Sequence, residues 1–103
     1  MIRADFYEKQ GLLIGFRFSG HSGYAEAGED VVCAAVSSAV QLTVNILDSL
    51  GFPTSVKVGD NVISCMVNDN EKNAAVILEQ LKLHFEAILE EFPNTINITI
   101  SEV

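Results

Sequence analysis

Residues 31–50, "VVCAAVSSAVQLTVNILDSL", contain no Lys, Arg or Glu, and Asp48 is their one charged residue. Read as a helix, the stretch is apolar or small all round, so it is expected to be buried on more than one side. Gly51 suits the position just past its end, and Pro53 blocks its resumption. On either side the period changes from helical to two. "IRADFY" (2–7) alternates Ile2, Ala4 and Phe6 against Arg3, Asp5 and Tyr7, and "LLIGFRF" (12–18) aligns Leu12, Ile14, Phe16 and Phe18. With Gly11 between them they form a hairpin. "TSVKV" and "VISCMV", separated by Gly59, Asp60 and Asn61, form a second. A further helix is expected over 71–92. Its Ala74, Ile77, Leu78, Leu81, Phe85, Ile88, Leu89 and Phe92 recur at three and four, its charged residues face water, and Pro93 ends it. "TINITIS" then puts Ile96, Ile98 and Ile100 on one face of a last strand. The order is β-β-α-β-β-α-β, an α+β fold of about five strands and two helices, with residues 1–103 a single domain. One helix must pack across the sheet, and the apolar first helix is a candidate to meet a second subunit.

At 103 residues the chain is long enough for one core, and 49% hydrophobic residues exclude a disordered acidic tail. Fourteen acidic residues against six basic ones leave a net charge of −8, which excludes a generic electrostatic grip on nucleic acid and favours a basic partner. No apolar run of membrane-spanning length is expected, and the charged start "MIRADFYEKQ" is unlike a signal peptide. The expected location is cytoplasmic, with no membrane contact. Both cysteines are then free thiols. Neither zinc nor haem spacing is present, and no cofactor or metal is expected.

The chemistry concentrates in "GHSGYAEAGEDVVCAAVSS" (20–38). With Asp30 as N-cap, Cys33 falls on the third helical position, where unpaired amides and the helix dipole favour a thiolate. Those amides could also receive the oxyanion of a tetrahedral intermediate. His21 stands at the end of a strand. Folding the intervening residues back would bring an imidazole to the sulfur, giving a nucleophile and a base that later protonates the leaving amine. Taken singly, such a Cys is more often a core residue and such a His a turn residue. Asp30 could cap the helix, orient His21, or both.

Ser37, one turn after Cys33, could place a hydroxyl beside the thiol or bond back to its own helix. Gly20, Gly23 and Gly28 suggest a loop able to fold over a substrate. A phosphate cradle is disfavoured, since no Gly-Lys-Ser/Thr follows and Glu26, Glu29 and Asp30 would repel phosphate. Cys65 is expected to face the core with Ile63 and Val67, and His84 to be solvated on the second helix.

This stretch resembles the signature of the bacterial Prp family of ribosomal-processing cysteine proteases, in which Gly-His, Gly-x-Asp-[IV]-Val-Cys-Ala and a Ser recur at this spacing. The common family loop has Ala where this chain has Ser22, and Gly23-Tyr24 fall where members vary. The resemblance implies Cys33 as nucleophile, His21 as its base, and Gly20, Asp30 and Ser37 as supporting positions. Ser22, Gly23, Tyr24 and Gly28 are placed in a substrate loop. It also implies a homodimer that removes the N-terminal extension of a basic large-subunit ribosomal protein, number twenty-seven. Two rivals come from other classes. One is a non-enzymatic, acidic ribosome-associated binding or assembly protein, and the other is a redox-sensing protein using Cys33 and Cys65.

Overall fold

The computed structural model describes residues 1–20, 29–68 and 71–103. Its elements follow the expected order: β1 (Ile2–Lys9), β2 (Leu12–Ser19), α1 (Glu29–Ser49), β3 (Thr54–Gly59), β4 (Val62–Val67), α2 (Lys72–Glu91) and β5 (Ile96–Glu102). The five strands form one sheet in the order β3-β4-β2-β1-β5. The β1–β2, β2–β4 and β3–β4 pairs are antiparallel, whereas β5 runs parallel to β1. Parallel neighbours need a crossover rather than a tight turn. α2 supplies it, carrying the chain from β4 across the sheet to β5 and packing on β2, with α1 against α2.

Periodicity places the core. Ala4, Phe6, Phe16, Phe18 and Cys65 all turn to the helix side of the sheet and are buried. Phe18 stacks on Phe16 at 4.8 Å between centroids and meets Phe85 of α2 edge-on at 5.0 Å. Phe6 is edge-on to Phe18 at 5.9 Å. Offset and T-shaped contacts at these separations are the favoured aromatic geometries, and they join α2 to β1 and β2. Alternation alone misplaces one end of β2. The register shifts between Tyr7 and Glu8, so Leu13, rather than Leu12, joins the cluster containing Phe16 and Phe18. An extra residue in one strand reverses the faces beyond it.

The end of α1 is closed as Gly51 suggested. The Gly51 and Phe52 amides donate to Asp48 and Leu47 carbonyls at 3.0 and 3.1 Å, with Gly51 at φ +80°. This is the Schellman pattern, which leaves glycine as the residue free of a Cβ penalty at that turn. Two expectations for α1 need correction. Val32, Val36, Val40 and Leu47 enter the core, but Leu42 is 61% exposed and Ile46 38%. One face is therefore buried within the monomer, because the sheet and α2 meet α1 from one side only. A long apolar run does exist: among the described residues, 31–49 are long and apolar enough to cross a membrane by length and composition. A core helix can pass that test, and this one supplies four residues to the core.

Candidate active site

Cys33 is half-buried and unpaired, and it lies in a groove of about 260 Å³ between α1 and the sheet. Three local features create the groove. Along α1, Val36 and Val40 face the floor while Cys33 and Ser37 stand on the wall, a separation of faces that 3.6 residues per turn produces. Phe18 and Ile63, paired across β2 and β4, continue the apolar floor, with Ile2 at its margin. The β3–β4 turn forms the opposite rim through Gly59, Asn61 and Val62.

At one end of the groove the chain leaves β2 at Gly20. The Gly20 amide donates to the Asn61 carbonyl at 3.0 Å, tying this exit to the β3–β4 turn. Gly20 has φ +84°, and a Cβ there would stand 2.9 Å from the Met1 carbonyl oxygen. Both the left-handed backbone and the close approach of the first residue require glycine.

The helix begins one residue earlier than expected, at Glu29, so Asp30 lies in its first turn rather than preceding it as N-cap. Acidic residue types suit that turn because the N-terminal end of a helix carries partial positive charge. Cys33 consequently occupies the fifth position, not the third. Its own amide belongs to the helical ladder, and among the described residues the amides at the start of α1 without an intrahelical acceptor are those of residues 29–31, ahead of the thiol.

Of the residues predicted for the site, the groove gathers Gly20, Cys33 and Ser37. His21 follows Gly20 directly in the chain, but His21, Ser22, Gly23, Tyr24 and Gly28 lie outside the described residues, as does the side chain of Asp30. Residues not predicted for the site also line it. Gln41 was legible in principle, because 33, 37 and 41 fall at i, i+4 and i+8 on one helical face. Asn61 carried no such signal, since it reaches the groove only through the pairing of β2 with β4.

The second thiol differs from the first. Cys65 is fully buried between β2 and β3 in the sheet, and burial pushes its pKa above the ordinary thiol value. A thiol held protonated is a poor nucleophile and a poor partner for disulfide exchange. Among the described residues, no group of three or more His, Cys, Asp or Glu side chains is placed to hold a metal ion. His84 is exposed on α2.

Comparison with known proteins gives a consistent result. The model of the family described as cysteine protease Prp matches residues 1–97. The ribosomal processing cysteine protease Prp of Bacillus subtilis (strain 168) is 24% identical over a 95-residue alignment, and the match covers 84% of this chain and 85% of that protein. Among solved structures, the essential ribosomal processing protease Prp from S. aureus, in complex with a substrate peptide, superposes with a TM-score of 0.88 at 24% identity. The match covers 98% of this chain and 100% of that one. SMU.848 from Streptococcus mutans gives 0.79 at 26% identity, covering 100% and 96%.

Proposed function

The chain belongs to the cysteine protease Prp family, and on that premise we propose that it is an endopeptidase acting through Cys33 and His21 on the N-terminal extension of large-subunit ribosomal protein twenty-seven. The observation that carries this reading is the half-buried Cys33 on the wall of an apolar groove whose end is Gly20, the residue before His21.

In the proposed reaction His21 takes the Cys33 proton as Sγ attacks the scissile carbonyl carbon. The resulting oxyanion is received by free amides at the start of α1. The C–N bond breaks, the imidazolium gives its proton to the leaving amine, and the acyl group remains on sulfur. Water, deprotonated by His21, then hydrolyses the thioester and releases the thiol. Asp30 and Ser37 support this pair, while Ser22, Gly23, Tyr24 and Gly28 belong to the loop that orders over the peptide. No cofactor takes part.

The partners follow from charge and shape. A basic ribosomal protein suits a net charge of −8, with Glu71 exposed just before α2 and Glu86, Glu90 and Glu91 exposed on it. The exposed Leu42 and Ile46 support a homodimer in which a second copy covers the free face of α1. The reading places the dimer in the cytoplasm, without membrane or direct nucleic-acid contact.

Cleavage of a peptide spanning the ribosomal protein's extension tests it. Cys33→Ala and His21→Ala are each expected to reduce cleavage by at least about a thousandfold, as loss of an acting nucleophile or base does, without loss of fold. Full activity in either variant would refute the pair. Binding of the intact ribosomal protein that survives Cys33→Ala, with no thiol-dependent cleavage by the unsubstituted enzyme, would favour the non-enzymatic rival instead.

A further inference from the structure

The α1 wall of the groove carries a third polar side chain beyond Cys33 and Ser37. Gln41 lines the same groove, exposed, two helical turns further on. Eight residues at 1.5 Å each place it about 12 Å from Cys33 along the helix axis. An extended peptide advances about 3.3 Å per residue, so a substrate laid along α1 reaches Gln41 about four residues from the bond attacked by Cys33. Among the described residues the Gln41 amide has no hydrogen-bond partner. It faces a floor made by Val40 and Ile63, which offer apolar contact but no polar atoms from their side chains. On the opposite rim, Asn61 uses its carbonyl to hold Gly20.

A primary amide presents both an acceptor and two donors, the complement of a peptide group, whose C=O and N–H must be satisfied when an extended chain leaves water. We propose that Gln41 is a substrate-positioning residue whose side-chain amide hydrogen-bonds the main chain of the substrate about four residues from the scissile bond, holding the peptide against the apolar floor. The inference rests on the reading of Cys33 as nucleophile. Gln41 touches no reacting atom, so its contribution is to binding, equal in ground and transition states, and its loss changes KM rather than kcat.

The test uses peptides spanning the ribosomal protein's extension, each with one main-chain amide N-methylated, at positions three to five residues from the scissile bond on either side. Gln41→Ala and Gln41→Leu are expected to raise KM about fivefold, the effect of one neutral hydrogen bond, with kcat and the unfolding midpoint unchanged. One methylation is expected to impose the same loss on the unsubstituted enzyme and none on either variant. An unchanged KM in both variants overturns the proposal. So does a methylation penalty that persists undiminished in the variants at every position. Calorimetric binding of the unmethylated peptide to Cys33→Ala, with and without Gln41→Ala, separates the two readings. If the unsubstituted enzyme cleaves nothing, the nucleophile reading fails, yet a fivefold weaker affinity still supports Gln41 and equal affinities dismiss it.

Discussion

The two helices are of nearly equal length, 21 residues in α1 and 20 in α2, and they solve opposite problems. α2 buries Ala74, Ala75, Leu78, Leu81 and Phe85 and turns charged residues outward, where Lys82 pairs with Glu79 at 3.3 Å and Glu86 at 3.1 Å. Its outer face mixes those charges with the exposed Val76 and Leu83. α1 has no Lys or Arg, and its two acidic residues other than Asp48 stand at its start. It buries one apolar face, leaves Cys33, Ser37 and Gln41 along a groove, and exposes Leu42 and Ile46 on the remaining side. The contrast is that a helix without charge along most of its length leaves apolar side chains uncovered in the monomer, on the face assigned above to the proposed dimer. α2 holds the fold together, while α1 carries the candidate site and the exposed Leu42 and Ile46.

Truncation in α2 is the most severe way to test this division. Phe85 is fully buried and touches the rings of Phe6 and Phe18, so Phe85→Ala is expected to cost about 3–5 kcal/mol, read from the denaturant midpoint. A loss below about 1 kcal/mol would show that α2 is not the central packing element. The next effect belongs to α1. If the proposed dimer forms on the free face of α1, Leu42→Glu should leave the unfolding midpoint of the monomer nearly unchanged but weaken self-association about thirtyfold or more, as loss of a well-packed interface residue does. Sedimentation velocity reads it, and an unaltered dimer would move the interface elsewhere.

The smallest effect contrasts the two thiols. Iodoacetamide at neutral pH is expected to modify Cys33 and spare Cys65 until the chain unfolds, as counted by intact mass. Because burial raises the Cys65 pKa in the folded state, the stabilisation from keeping that thiol neutral is intact below the ordinary value of 9.0. It is lost as pH rises from there through the raised folded value. Unfolding midpoints should therefore fall in that alkaline window for the unsubstituted protein and less so for Cys65→Ala. Equal slopes would assign the fall to other groups.

Local physics made much of this legible. Alternation at 2–7 and 95–101, the three-and-four repeat at 71–92, and the stop signals Gly51 and Pro93 each act within a few residues. Strand, helix and ending can thus be read without knowing the fold. The helix-start correction has the same short range: two acidic residue types favour the first turn, and the helix extends over them. Non-local features were not legible. The bulge opposite Tyr7 and Glu8 moved Leu13 into the core, a shift set by two strands together. Gly20 was predicted as part of a pliant loop, whereas its first constraint is the Met1 carbonyl beside it, at the start of the partner strand. Half of the groove comes from residues with no chemical signature of their own.

The amino-acid sequence by itself determined the element order, the burial of Cys65, and the family signature around Cys33, because periodicity, capping preference and residue chemistry are properties of short segments. Only the tertiary structure decided that the β3–β4 turn faces α1 across an apolar floor, that Asn61 holds the exit of β2, and that Gln41 looks into the same groove as Cys33. Those relations depend on strand order and on which side of a helix the sheet leaves uncovered, and both are settled by packing among residues far apart in the chain.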